Sequence, residues 1–565
     1  MSFSPEEKAA GRENFRAAVD GDFSRRDFLK GGVAAGVVSA GGLGAFHFGY
    51  GKSHGNPVRV GVIGTGDEGN VLLGAINPDY IDVRAIADIR PYNVHRAFHG
   101  DHYSDAALAA RCGLMTKYGW KTEDEARKHV KVYGDYREML ENEPDIEAVI
   151  IALPLHLHAP AAIAAMKAGK HVLTEKLMGH SVHECKEMAR VAEQTGLHLA
   201  TGHQRHYNIL YHEAEETIKR GILGDLHYIR AQWHRGNLPG HDSWQQPMPP
   251  DAKPKDAQAK ALVKKLESWE RKLAAASGRA IDVWTKRVAQ VRQQLADKIV
   301  DAKKYGYQDK QYKDADGKVI YDRPAMEELI RWRLWDRTGG GLMVELGSHQ
   351  LDAASIFISA VHGGEKQHPL NVMAAANRPL FGQDRDANDH VCCIFEFAAP
   401  GYDAKDPVAS RKKIGVQYAS INGNGFGGYG EMVFGTKGTL MLEREQDVML
   451  FRGPSASKVK AGKSGGPTMD TQASGAVQKA EATQTRKVSR GYTEQLEHWA
   501  WCIRNPGEEN KPRCHPKVAM ADAVVALTTN IAAKEGRRIE FKEEWFDVNS
   551  DETPEGVKPD ISKYA

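Results

Sequence analysis

Six cysteines in 565 residues, at 112, 185, 392, 393, 502 and 514, form no CxxC pair and no metal-ligand spacing. This excludes a disulfide framework and leaves the thiols as small buried residues. A charge excess is lacking too: 76 Lys and Arg face 74 Asp and Glu, so nothing calls for nucleic acid or an anionic membrane as partner. Histidine is plentiful at 24, and His95, His99 and His102 can line one side of a helix, but no carboxylate or thiolate completes a set around them, so no metal site is expected. The uncharged run from Gly31 to Phe46, about 16 residues rich in glycine, is too short and too weakly apolar to span a bilayer.

What is present begins with VRVGVIGTGDEG, Val58 to Gly69, an apolar strand pattern that breaks at Gly64, Thr65, Gly66 and Gly69 before a helical segment. Glycines there allow a tight strand-to-helix bend and close backbone approach to a pyrophosphate, whose charge meets the amides of a helix N-terminus. A second match, Gly423, Gly425 and Gly428, sits in a Gly/Asn-rich run before the strand-like EMVFG and lacks that context. Asp88 closes the next apolar run, IDVRAIAD, about 20 residues past the last glycine, where an acid accepts from the adenosine ribose hydroxyls. A carboxylate there disfavours a 2′-phosphate, so NAD is expected over NADP, with Arg90 as the nearby residue that argues the other way.

Strand and helix patterns alternate through DIEAVIIALP, HAPAAIAAMKAG, KHVLTEK, HECKEMARVAEQTG and HLATGHQ, which predicts an α/β fold with a parallel doubly wound sheet over 57–180. From about Leu226 longer β-rich runs follow, LHYIRAQWH, HVCCIFEFA, KIGVQYASING and GTLMLER, which predict an α+β domain with a large, mostly antiparallel sheet over 181–545 and a tail at 546–565. Apolar residues three and four apart from Leu262 to Ile299 make 251–300 an inserted helical hairpin, read as a surface insertion, an assembly element or a cover for the active site. The stretch 453–490, rich in Gly, Ser, Lys, Ala and Thr without periodicity, is expected as a long mobile loop. The last helical pattern, near Pro516 to Glu535, is expected to pack on the nucleotide domain.

SRRDFLK, Ser24 to Lys30, before the mildly apolar run resembles a twin-arginine export signal, with Val38 and Ala40 as small residues for cleavage. That resemblance implies a signal and linker over 1–50, the twin-arginine machinery as a partner and a periplasmic or otherwise exported protein.

Four further runs arrive in order: ALPLHLH from Ala152, TEK from Thr174, GHQRHYN from Gly202, and GGGLMVELGSHQLD from Gly339. With the glycine turn, they resemble the Gfo/Idh/MocA superfamily of nicotinamide-dependent oxidoreductases acting mainly on sugars and polyols. The resemblance implies that Pro154 and His158 line the cofactor and that Glu175 and Lys176 stand beside the nicotinamide. It also makes His349 and Asp352 an HxxD pair, with Glu345 four residues before the histidine where many members have aspartate. On one helical face these three would converge on a substrate hydroxyl, with His349 or Lys176 moving the proton and Glu345 or Asp352 orienting it. The chain departs from the pattern at Leu177 and Leu155, where members usually have proline and asparagine, and the lost proline leaves the backbone beside Lys176 less restricted. Aromatic and basic residues in WHRGNLPGHDSW (Trp233 to Trp244) and RWRLW (Arg331 to Trp335) suit a carbohydrate or the packing of a core. The function implied is hydride transfer between a sugar or polyol carbon and a tightly held NAD. Two alternatives stand beside it: a redox-neutral NAD-dependent glycosidase of the same superfamily, and a nucleotide-binding protein without catalysis. A homo-oligomer through an exposed sheet face is the further partner considered.

Overall fold

The computed structural model describes residues 3–20, 44–45, 47–51, 55–253, 257–453 and 490–564. The twin-arginine run at 24–30, residues 31–43 of the apolar run after it and the body of the expected loop, 454–489, lie outside the described residues.

Helix α1, Pro5–Asp20, opens the chain. The expectation of 1–50 as signal and linker apart from the fold does not hold for this helix. Phe15 is buried, Arg12 pairs with Asp447 at 2.7 Å and Lys8 with Glu443 at 2.7 Å, so α1 is docked on the second domain. Gly11 makes the approach possible: a Cβ there would stand 2.8 Å from Met449 and 2.9 Å from Phe451.

Strand β1, Val58–Ile63, is followed by α2, Asp67–Ala75, then β2, Ile81–Ala87, α3, Pro91–His99, and β3, Lys131–Tyr133. The chain continues through β4, Ala148–Ile151, α4, His158–Lys167, β5, His171–Thr174, α5, Val182–Thr195, and β6, Leu199–Thr201. The six strands pair in parallel in the order β3-β2-β1-β4-β5-β6, the doubly wound arrangement whose reversal point lies between β1 and β4. Their near-continuous Val, Ile, Leu and Ala content follows from helices covering both faces. The sheet reaches Thr201, about 20 residues past the expected boundary at 180, because KHVLT and HLAT each supply a strand and α5 connects them.

Past α6, Ile209–Lys219, the second sheet begins with β7, Leu226–His234. The insertion follows as α7, Ala257–Ala274, and α8, Arg279–Ala296, then a two-stranded ribbon, β8, Lys310–Lys313, and β9, Val319–Arg323. After α9, Ser348–Ala360, come β10, Pro369–Asn377, β11, His390–Ala398, β12, Lys413–Ile421, β13, Tyr429–Gly435, β14, Gly438–Glu443, and β15, Asp447–Arg452. The last elements are α10, Tyr492–Arg504, α11, Pro516–Glu535, and β16, Ile539–Glu540. The eight strands order as β15-β14-β13-β7-β12-β11-β10-β16, antiparallel except between β7 and β12. The second glycine match falls in the loop from β12 to β13, outside any strand-to-helix turn.

Helix α11 packs on β10, α5 and α9, so its small apolar residues join the two domains rather than serve the nucleotide domain alone. The hairpin also joins domains: α8 lies on α3 of the first sheet, with Gln290 donating to Asp101 at 2.8 Å. Helix α10 returns to the nucleotide domain, where Trp499 is fully buried among Val58, Leu72 and their neighbours.

Candidate active site

One cavity of about 810 Å³ runs from the C-terminal ends of β1 and β2, across the reversal point, to the sheet of the second domain. At its first end the glycines divide the work sterically. Gly64 has φ of +86°, and a Cβ on it would collide with Ala152 O; a Cβ on Gly69 would collide with Gly64 O. At Gly66 the space is open, with only Asn93 Nδ2 near, at 3.9 Å, so the backbone presents a bare cradle at the N-terminus of α2. That is the fit a pyrophosphate needs. Asp67 and Glu68 in the same first turn carry the wrong sign, but Arg96 holds Asp67 at 2.6 Å and Lys176 and Tyr492 line the same cavity as Glu68. Burial raises the Glu68 carboxyl above its ordinary range, which reduces its charge.

Asp88 lines the cavity where the sequence places it, held by the Thr65 amide at 2.7 Å, the Arg90 amide at 2.9 Å and Asn93 Nδ2. Thr65 itself is wholly buried and does not line the cavity; it orients Asp88 from behind. Arg90 is engaged by an acid of the insertion: its guanidinium lies 2.8 Å from Asp297 at the end of α8, and Tyr92 N donates to the same carboxylate at 3.0 Å. The segment after the hairpin delivers Tyr305 and Tyr307 to the cavity wall, while α8 bridges the domains and no described residue of α7 or α8 lines the cavity.

At the other end, Lys176, Glu345 and His349 line one wall. Lys176 Nζ donates to Glu345 O at 2.7 Å and lies 3.7 Å from Glu345 Oε2, although the Lys176–Leu177 peptide is cis and the usual proline is missing. Glu345 is half-buried, and desolvation works against its charge, but Arg333 at 2.6 Å and Lys176 outweigh this and hold its carboxyl at about 2. Burial, with the nearby Lys176 and Arg205 charges, pushes the His349 imidazole well below 6.5. Glu175 lies on the same wall; burial and Glu68 raise its carboxyl to about 8, leaving it neutral at pH 7.

Three expected contacts are corrected. Asp352 does not share the wall with Glu345 and His349. Met343–Gly347 forms a π turn running into α9, so the ordinary helical register behind the i, i+4, i+7 expectation is lost. Asp352 faces His206 at 2.7 Å, His203 at 3.6 Å and Lys366 at 3.7 Å instead, in a buried network away from the cavity. His203, Asp352 and Asp522 bring three ligand atoms within 4.8 Å, but the Lys366 ammonium, 2.5 Å from Asp522, already supplies the positive charge there. His158 is buried with Nδ1 2.7 Å from Leu177 O and Nε2 2.9 Å from Leu153 O, so it ties two cavity loops together while Pro154 does the lining. Gly69 supports the turn and does not line the cavity. Of the expected aromatic residues, Trp335 and Trp244 are buried whereas Trp233 and Trp332 are half-buried at the cavity. Glu68, Arg490 and Tyr492 also line the cavity, beyond the residues expected from the sequence. Arg490 ends and Tyr492 follows an aperiodic stretch with no signal of its own, and Glu68 stands inside a motif whose signal is its glycines.

Residues 58–203 match the Gfo/Idh/MocA family model, an oxidoreductase family with an NAD-binding Rossmann fold. Those residues carry the six-stranded parallel, Rossmann-like sheet, joined to an α+β domain with a mixed sheet. Among curated proteins, a 1-carboxy-3-chloro-3,4-dihydroxycyclohexa-1,5-diene dehydrogenase of Comamonas testosteroni is 36% identical over 100 residues, 18% of this chain and 25% of that protein. A glycosyl hydrolase family 109 protein of Stenotrophomonas maltophilia is 30% identical over 184 residues, covering 32% and 36%. The scyllo-inositol 2-dehydrogenase (NADP(+)) of Bacillus subtilis is 32% identical over 98 residues, covering 17% and 27%. The chain thus spans between a quarter and about a third of these relatives. Among solved structures, an aldose-aldose oxidoreductase from Caulobacter crescentus in complex with glycerol aligns over 86% of this chain and 100% of its own at 16% identity and TM-score 0.48.

Proposed function

We propose that this protein is an exported oxidoreductase that moves hydride between a CH–OH carbon of a sugar or polyol and a tightly held NAD. The carrying observation is that Lys176, Glu345 and His349 share one cavity with the open cradle at Gly66 and with Asp88. Gly64, Gly66, Asp88, Pro154, Glu175 and Lys176 would hold the dinucleotide, which supplies the hydride acceptor at nicotinamide C4 when bound. His349, kept neutral by burial, accepts the hydroxyl proton; Lys176, fixed by Glu345, donates a hydrogen bond to the same oxygen and steadies its developing charge. Asp88 repels a 2′-phosphate, and Arg90, engaged by Asp297, is withheld from one, which favours NAD over NADP.

Export through the twin-arginine route places the enzyme where no free dinucleotide pool is expected, so the cofactor would be loaded before export and recycled in place. The hold of Asp297 on Arg90 at 2.8 Å and the two tyrosines on the cavity wall support this reading, since they stand where the adenosine end would lie. The test is to purify the mature protein from the periplasm, denature it and assay the supernatant. Nicotinamide dinucleotide close to one per chain is expected; a protein free of nucleotide that works only with NAD added at high concentration overturns retention. Screening neutral and acidic sugars for NADH absorbance tests the hydride step itself. The likeness to glycosyl hydrolase family 109 proteins keeps a redox-neutral glycosidase as the second reading. Phenol released from an aryl glycoside with no change in total NADH would select it. Lys176→Ala is expected to lose activity by about 10²-fold or more; an unchanged rate would leave nucleotide binding without catalysis.

A further inference from the structure

Six arginines line the cavity, and five of them are matched by an acid. Arg90 has Asp297 at 2.8 Å, Arg96 has Asp67 at 2.6 Å, Arg137 has Asp135 at 3.4 Å, Arg333 has Glu345 at 2.6 Å and Arg490 has Glu445 at 2.7 Å. The sixth, Arg235, makes no side-chain hydrogen bond or ion pair among the described residues. It follows β7 directly, its amide is fixed to Ile421 O at 2.9 Å, and its guanidinium lies between two indoles, 5.7 Å from the Trp233 ring and 6.0 Å from the Trp244 ring. The acids whose charge it feels are already committed. Glu345 serves Arg333 and Lys176, and Asp242 is held by Arg385 at 2.6 Å.

Arg235 is half-buried, and a guanidinium partly withdrawn from water without a paired acid carries a desolvation cost that an arriving anion offsets. Burial accordingly lowers the Arg235 pKa, with Glu345 opposing the shift. The place is the substrate end of the cavity, beside Trp233, Ser243 and Gln246 and on the wall that includes His349, whose ring is 5.7 Å from Trp233. We propose that Arg235 is a substrate-binding residue that pairs with a carboxylate, so that the substrate is an acidic sugar, a uronate or aldonate. The inference rests on reading this end of the cavity as the sugar site. One unmatched guanidinium balances one negative charge, which favours a carboxylate over a phosphate dianion, and its planar fork can donate two hydrogen bonds to the carboxylate edge. The flanking Trp233 supplies the flat apolar face that a sugar ring needs.

The test is calorimetric binding to the NAD-loaded protein at low salt, with glucose, galactose and mannose each compared with its uronate and aldonate, and with its 6-phosphate. At least one acid is expected to bind about 10-fold or more tighter than its neutral parent, and raised salt should weaken only the acid. Arg235→Gln should reduce that preference to near unity while leaving bound dinucleotide and the circular dichroism spectrum unchanged, and Arg235→Lys should keep part of it. Equal binding of acid and parent, no binding of any sugar, a stronger preference for the phosphate, or an undiminished preference in Arg235→Gln each overturns the proposal. NADH formed from a neutral sugar without any charge preference would sink this inference and leave the oxidoreductase reading standing. Charge-selective binding without hydride transfer to any ligand would do the reverse.

Discussion

His349 and Glu175 set opposite limits on the pH range in which the wall beside Lys176 keeps one protonation state. His349 acts as a base only when neutral, and burial with the Lys176 and Arg205 charges holds it well below 6.5. Activity should therefore rise with pH through an acid limb lying well under 6.5 and be flat near neutrality; an acid limb at 6.5 or above would remove His349 from that role. Glu175 is neutral until its carboxyl ionises at about 8, where a new negative charge appears on the wall. The expected sign is a change in kcat/KM as pH rises through 8, and Glu175→Gln, which stays neutral, should abolish that inflection. Such a readout separates an electrostatic role from simple packing. Gly69→Ala is a steric test at the same scale: its methyl would collide with Gly64 O, so dinucleotide affinity should fall by about 10-fold or more in equilibrium titration. Residue by residue, the site was most legible where chemistry and spacing act along the chain, at Gly64, Gly66, Asp88, Lys176 and His349. It was least legible where a side chain is turned by its surroundings. His158 and Asp352 have the right identities, but two backbone carbonyls take one and a pair of histidines takes the other.

At the level of elements, the inserted hairpin has the clearest consequence. Its apolar spacing made α7 and α8 readable, but nothing in that spacing announces that Asp297 reaches Arg90, since the contact joins residues 207 apart in sequence. Asp297→Ala should free the Arg90 guanidinium for a 2′-phosphate. We expect the NADPH to NADH affinity ratio, measured by fluorescence titration of stripped protein, to rise by about 10-fold, and an unchanged ratio would count against Asp297 as the residue that withholds Arg90. The π turn at Met343–Gly347 is the element that sequence periodicity hides, because a count of three and four residues per turn assumes an α-helix throughout. Strand assignments fared better: in β11 and β12 buried and more accessible residues alternate, and that period of two survives any partner. Helix α1 belongs to the same scale. Phe15→Ala empties a buried site on the second domain and should cost about 3 kcal/mol of stability in denaturant unfolding, with dinucleotide binding unchanged.

Over the whole molecule, buried or half-buried imidazoles recur: His156 is held at about 3 and His95, His171 and His498 at about 4, each chiefly by desolvation. The unfolded chain takes up protons near 6.5 that these groups in the folded chain refuse, so stability is full above that pH and falls as pH drops from 6.5 toward 4. Each contributes up to about 1.4 kcal/mol per pH unit in that window, before solvent screening reduces it. Thermal unfolding followed from pH 8 to pH 4.5 should show a plateau and then a steep decline; a constant midpoint would contradict it. Domain order was readable from alternating strands and helices, whereas the seam between domains was not, because α10, α11 and the hairpin each pack on elements distant in sequence. The docking of α1 bears on what a protease would leave behind. Phe15 is anchored ahead of the arginine pair, and Phe48 and Tyr50 are anchored after it in the nucleotide domain. A cut between these anchors, near Ala40, would yield a two-chain particle, a short peptide clasped by a long polypeptide. Native mass spectrometry would register their sum, denaturing spectrometry two separate masses, and loss of the peptide would bare Met449 and Phe451.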